Sequence, residues 1–358
     1  MKKLKLLLLS VLCLVCSCSD DETENEQDND SLAKTYIPDD VFEQYLITYS
    51  NPIDGQAIDD VMDNYVLTSR ISNLTNLDLS NQSWSNVNDY VYDLTGIEDF
   101  VSLEHLDVSF NQISQSFDLS ELENLETLNV TANLLDDLDV SANNKLKFLH
   151  INNNNISSIN LNDNNMLIEF TAFNNNLSSI DLSNNSNLTL LSINSNNLTS
   201  VQLNNNPNLV ELSLKNNQIS NLDLSNNNNL QTITIHNNQL TSLNLDNNIL
   251  LTHLLCGNNP LNNVSISNNT ELYQLDIGNT NLTSLELSNL TNISSLVCNN
   301  NNLNNLDVSA IQNLDFLVTT GNANLNCIQV NPQQQGLINN NTIEVQKDNF
   351  TQISLDCN

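Results

Sequence analysis

The sequence is short of positive charge, of glycine and of long apolar runs, and each shortage removes a class of function. Nine lysines and arginines face 42 aspartates and glutamates. Nucleic acid and anionic lipid attract basic surfaces, so neither is an expected direct partner. Only six glycines occur, and no phosphate loop and no D-x-D-x-D-G calcium loop is formed. The hydrolase signatures G-x-S-x-G and H-E-x-x-H are missing too. No spacing of cysteine and histidine suggests zinc, and carboxylate pairs are too common to single out a catalytic one. Neither catalysis nor a cofactor is expected. The acidity fits two readings: solubility of an asparagine-rich chain, or calcium held by clustered Asp and Asn oxygens. The second lacks its loop.

What is present is a repeat. Leu125, Leu146, Leu167, Leu188, Leu209, Leu230, Leu251, Leu272, Ile293 and Leu314 form a row spaced by 21 residues. Aliphatic residues that keep one spacing for so long imply a solenoid, in which each coil is stabilised by stacking on its neighbours. Within a unit, Leu125-x-x-Leu128-x-Val130-x-x-Asn133 is followed by Leu135-x-x-Leu138-x-Val140-x-x-Asn143. The L-x-L core has period two, so its ends point inward and its middle residue outward. Asparagine suits the bends, because it tolerates left-handed backbone and its amide bonds main-chain groups. One column, Asn111, Asn133, Asn154, Asn175, Asn196, Asn217, Asn238, Asn259, Asn301 and Asn322, is interrupted only by Thr280. It reads as a structural ladder.

The doubled L-x-x-L-x-L-x-x-N motif resembles the leucine-rich repeat superfamily, specifically its nested 21-residue IRREKO variety. The resemblance runs from Leu74 to Val330. It implies a mainly β solenoid with short parallel strands on both faces of each coil. Residues 36–73 lack the repeat and read as an N-terminal cap. Asp39 and Asp40 open a short helix there, with Phe42 and Leu46 on its apolar face. The stretch Asn64-Tyr65-Val66-Leu67-Thr68-Ser69, leading in to Leu74, resembles the N-terminal cap of flavobacterial leucine-rich proteins. An insertion between Leu79 and Leu94 carries Trp84, Tyr90 and Tyr92, and residues 331–358 form the C-terminal cap.

The opening MKKLKLLLLSVLCLVCSC has three lysines and an apolar run well below the ~20 residues of a membrane span. Residues 1–17 therefore read as a leader. Val15-Cys16-Ser17-Cys18 resembles a bacterial lipobox, which implies lipidation of Cys18; simple cleavage and release is the alternative. Residues 18–35 form an acidic tether too poor in apolar residues to fold. Ser19-Asp20-Asp21-Glu22 is similar to the surface-export signal of Bacteroidota lipoproteins, implying an outer-membrane lipoprotein exposed at the cell surface. Asp30-Ser31-Leu32 matches the O-glycosylation motif of the same bacteria, making Ser31 a candidate sugar site. Without the leader lysines, six bases would remain against 42 acids, a net charge near −36.

Seven cysteines divide by position. Cys13 and Cys16 belong to the leader. Cys256 and Cys298 take the inward third position of L-x-L, two coils apart. Strands spaced at ~4.8 Å put them about 9–10 Å from each other, beyond disulfide reach. Cys327 and Cys357 remain as the candidate disulfide of an exported cap.

Outward positions differ between the two half-repeats. The second half shows Ser158, Asn160, Ser179, Asp181, Asn221, Asp223, Ser284 and Glu286, uniformly short and polar. The first half carries all four histidines and three phenylalanines. Burial and specificity at an interface need such residues, although an aromatic can also serve edge packing. Phe148, His150, Phe173, Glu211, Lys215, His236 and His253 are the candidate binding residues. The resemblance to secreted bacterial members, including internalin-like adhesins, implies an extracellular protein or polysaccharide partner, with the membrane met only through N-terminal lipid. The alternative is a structural or ice- or mineral-binding spacer using the regular polar face. It would require an ordered threonine-rich or strictly repeated face, where Ser, Asn and Asp here alternate loosely.

Overall fold

The computed structural model describes residues 33–49, 55–81 and 89–357. The leader, Cys18, Ser31 and Trp84 lie outside the described residues. The N-terminal cap contains β1 (Lys34–Tyr36), α1 (Asp40–Thr48), β2 (Tyr65–Leu67) and α2 (Thr68–Ile71), with β1 and β2 antiparallel. Asp39 caps α1. Its Oδ1 accepts from the Val41 and Phe42 amides, both at 3.0 Å. Its Oδ2 accepts from the Tyr92 and Asp93 amides at 2.7 and 3.1 Å, fastening the cap to the first coils. Phe42 and Leu46 are buried, and the Phe42 ring lies 5.8 Å from that of Phe100.

From there the chain coils. The strands in chain order are β3 (Asn76–Asp78), β4 (His105–Asp107), β5 (Thr127–Asn129), β6 (Phe148–His150), β7 (Glu169–Thr171) and β8 (Leu190–Ser192). Next come β9 (Glu211–Ser213), β10 (Thr232–Thr234), β11 (Ser242–Asn244), β12 (His253–Leu255), β13 (Asn263–Ser265), β14 (Gln274–Asp276) and β15 (Ser295–Val297). The last are β16 (Leu306–Asp307), β17 (Phe316–Val318), β18 (Cys327–Gln329), β19 (Glu344–Gln346) and β20 (Gln352–Ser354), with α3 (Pro332–Asn339) before β19. Thirteen strands, β3 to β10 with β12, β14, β15, β17 and β19, make one sheet along one wall. Its pairings are parallel, and in the repeat each residue pairs with the one 21 positions on, as Phe148 with Glu169 and Glu169 with Leu190. The fold is the mainly β solenoid expected from the repeat.

Inward residues of both half-repeats fill the core. Leu125, Leu128, Val130, Leu135, Leu138 and Val140 are all buried. One coil departs in detail: Phe170 is paired with Ala172 where its neighbours carry Leu and Ile, and both are buried. A large residue beside a small one conserves core volume.

Strands on the opposite wall are fewer than the doubled motif suggests. Among the described residues they pair only as β11–β13 and β16–β18–β20. Between Asn155 and Gln239 successive coils are joined at a bend instead. The amides of Asn155, Asn176, Asn197, Gln218 and Gln239 each donate to a carbonyl of the preceding coil at 2.8–2.9 Å. Pro260 occupies the next such position and has no N–H to give. Pairing there shifts to Asn262 N–H with Thr241 carbonyl, at 3.2 Å, and β11 and β13 follow.

The asparagine column is a ladder. Asn217 Nδ2 donates to the Leu214 carbonyl of its own coil and the Ile193 carbonyl of the preceding one, at 3.0 and 2.8 Å. Its Oδ1 accepts from the Leu198 amide at 3.0 Å. A second column, Asn143, Asn164, Asn185, Asn206, Asn227, Asn248 and Asn269, lies on the other bend and is fully buried. Asn164 Nδ2 donates to the Val140 and Asn143 carbonyls at 3.0 and 2.9 Å. At the end of the solenoid, Gln334 of α3 does the same for Val308 and Ile311, both at 2.8 Å. Residues 331–357 thus add a last strand to each wall, β19 and β20. A disulfide between Cys327 and Cys357 closes this end, with Cα atoms 5.7 Å apart.

Candidate binding face

Three outward columns run across the sheet wall. The first contains Phe148, Glu169, Leu190, Glu211, Thr232 and His253, in strand register. The second contains His150, Thr171, Ser192, Ser213, Thr234 and Leu255. The third lies just past the strand ends and contains Asn152, Phe173, Asn194, Lys215, His236 and Gly257. All seven candidate residues fall in these columns. They do not converge on a point: Phe148 and His253 stand five coils apart, roughly 24 Å at the usual strand spacing. The opposite wall exposes Ser158, Asn160, Ser179, Asp181, Asn221, Asp223, Ser284 and Glu286.

The polar groups of the sheet wall hold one another in place. His150 Nδ1 bonds Thr171 Oγ1 at 2.9 Å, and Glu169 Oε1 lies 3.9 Å from the same nitrogen. Asn152 Nδ2 donates to Thr171 Oγ1 at 2.8 Å, while its Oδ1 accepts the Phe173 amide at 2.9 Å. Asn194 Oδ1 accepts from Ser213 Oγ and from the Lys215 amide, at 2.8 and 2.7 Å. Lys147 donates to Glu126 at 2.8 Å, and that bond holds the Glu126 carboxyl below its usual range. Further along, His253 Nδ1 bonds Thr252 Oγ1 at 2.9 Å and its ring lies 6.1 Å from that of Tyr273. His236 Nε2 lies 3.0 Å from Asp276 Oδ2. Phe173 is 38% exposed, which leaves its ring available.

Leu190, Asp276 and Tyr273 are absent from the seven candidates. Leu190 had a signal: in Leu188-Thr189-Leu190-Leu191-Ser192 two adjacent leucines cannot both face inward on a strand. The pairing of Asp276 with His236 had none, since the partners are 40 residues apart and on coils that are not neighbours. Among the described residues no group of three or more His, Cys, Asp or Glu side chains is placed to hold a metal ion. No described helix is long and apolar enough to cross a membrane.

Among solved structures, the functional domain of InlJ from Listeria monocytogenes is 25% identical, with a TM-score of 0.76 over 91% of this chain and 72% of that one. An internalin, inlF, also from Listeria monocytogenes, is 22% identical with a TM-score of 0.72, over 90% of this chain and 97% of that one. A leucine-rich repeat protein of Leptospira interrogans is 20% identical with a TM-score of 0.65, over 81% of each chain. The fold is the leucine-rich repeat. No family model matches the sequence, and comparison with curated proteins gives no match.

The InlJ domain includes a cysteine ladder. In this chain one inward column runs Cys256, Ile277, Cys298, and the aliphatic rung separates the two thiols. Both are free and buried. Burial, with Asp276 adding a smaller effect, pushes the Cys256 thiol far up and that of Cys298 to about 12. They are packing residues, not nucleophiles.

Proposed function

We propose that this chain is a cell-surface lipoprotein that recognises an extracellular protein or polysaccharide through its sheet wall, in adhesion or a related interaction. The observation that carries the reading is the contrast between the walls. Every histidine, together with Phe148, Phe173, Phe316 and Leu190, lies on one, while the other shows short polar side chains. Aromatic and mixed-charge residues on a rigid sheet supply burial and specificity at little ordering cost. The Val15-Cys16-Ser17-Cys18 sequence supports a lipid at Cys18, and the acidic residues behind it support export to the outer face. The membrane is then met through lipid alone. The histidines lie on separate coils and do not converge on one point, which favours a binding role over catalysis.

A photo-crosslinking residue placed at Phe148 or His253, and separately at Ser179 or Ser284, tests the reading on whole cells. With extracellular matrix or polysaccharide present, adducts are expected from the sheet wall alone. Adducts confined to Ser179 and Ser284 would overturn it in favour of a spacer that works through its polar wall.

A further inference from the structure

The middle of the sheet wall contains a depression of about 340 Å³, bounded by Glu169, Phe173, Leu190, Glu211 and Thr232. It exists because the second column falls to hydroxyl side chains, Thr171, Ser192, Ser213 and Thr234, between the bulkier His150 and Leu255. Asn152 and Asn194 tie three of those hydroxyls down, so the floor is formed before any ligand arrives. Leu190 is a half-buried apolar side chain on an outward position, flanked in its own column by Glu169 and Glu211. Two strand spacings put the carboxylate-bearing positions about 9–10 Å apart. The Glu211 carboxylate makes no ion pair or hydrogen bond with any described residue. Glu169 approaches only His150, at 3.9 Å. Phe173 forms the opposite rim.

An apolar side chain set between two acids, beside a hydroxyl floor, fits one kind of ligand side chain. A lysine or arginine lays its methylene stem on a hydrocarbon surface while its charged head reaches oxygens at the edge. Arginine adds a planar fork that can meet carboxylates on two sides. The hydroxyl column is some 14 Å long at the usual strand spacing, enough for four or five extended residues.

We propose that this depression seats an extended peptide segment of a protein partner, with a lysine or arginine side chain over Leu190 between Glu169 and Glu211 and an adjoining apolar residue against Phe173. The inference rests on the sheet-wall reading above and names the chemistry of its partner.

The test is an array of random hexapeptides whose third residue is arginine, lysine, citrulline or glutamate, probed with the labelled full chain. Arginine and lysine sets should exceed the citrulline set by ~tenfold at low salt, and the excess should shrink as salt is added. E169Q/E211Q should cut that preference below ~twofold, and L190S should weaken binding of the arginine and lysine sets. D181N/D223N removes the same charge from the opposite wall and should leave the preference intact. Equal binding of arginine and citrulline peptides, or equal loss in both double variants, would overturn the proposal and reduce the effect to the general acidity of the chain. If cross-links still come from Phe148 and His253 in that event, the sheet-wall reading stands and only the cationic specificity fails.

Discussion

His236 Nε2 and Asp276 Oδ2 meet at 3.0 Å although a complete coil lies between them. The intervening coil offers Gly257 at the crossing point. A Cβ there would stand 3.1 Å from His236 Cδ2, 3.0 Å from Asp276 Oδ1 and 2.9 Å from the Gly278 carbonyl. The glycine is therefore what lets the imidazole pass over one coil to reach the next. G257A should separate the pair, and a double-mutant cycle of H236A and D276A should give a coupling of about 0.5–1 kcal/mol by urea unfolding. In the G257A background the coupling should vanish.

Thr280 is the flaw in the asparagine ladder. Its Oγ1 keeps the bond to the Ile277 carbonyl at 2.7 Å, but it has no amide to span to the coil before. The Leu261 amide, whose equivalents bond a ladder Oδ1, turns to the Asn259 carbonyl at 2.7 Å. T280N should restore both links and raise stability by about 1–2 kcal/mol, whereas N217A should cost about 2–4 kcal/mol because it strands buried partners. Chemical denaturation of the two variants checks the opposite signs.

Acid should loosen the opposite wall. Asp139, Asp181 and Asp223 each accept the amide of the serine two residues on, and that bond holds each carboxyl below its usual range. A carboxyl lowered in the folded state binds fewer protons there than in the unfolded chain. Its contribution is complete above the ordinary carboxylate range, near pH 4, and is lost as the pH falls through the lower folded value. D139N/D181N/D223N keeps an accepting oxygen at each bend, as Asn160 does for the Asn162 amide at 3.1 Å. The triple variant should be less stable than the parent at pH 7, where the carboxylate contribution is complete, and should lose less stability between pH 5 and 2, followed by urea midpoints.

The core thiols should resist modification. Cys256 and Cys298 are buried and their ionisation is suppressed. At pH 8 an alkylating reagent should label their peptides only when guanidinium is added, as read by mass spectrometry. Labelling in the folded protein would show that the solenoid opens locally at these coils.

The sequence by itself determined the coil length, the inward residues and which side chains share a wall. Those follow from local rules: a 21-residue period sets the stack, and alternation on a strand sorts each side chain in or out. The first asparagine column was readable for the same reason, and the Cys327–Cys357 bond by elimination among the seven cysteines. Tertiary structure decided what happens between coils. On the opposite wall β11 and β13 pair where Pro260 withholds one N–H, and Gly257 yields an ion pair by withholding one side chain. The second asparagine column and the depression around Leu190 likewise depend on which residues stacking brings abreast. Neighbours in that direction are a full coil or more away along the chain, so their fit is set by three-dimensional register and is invisible to any local pattern.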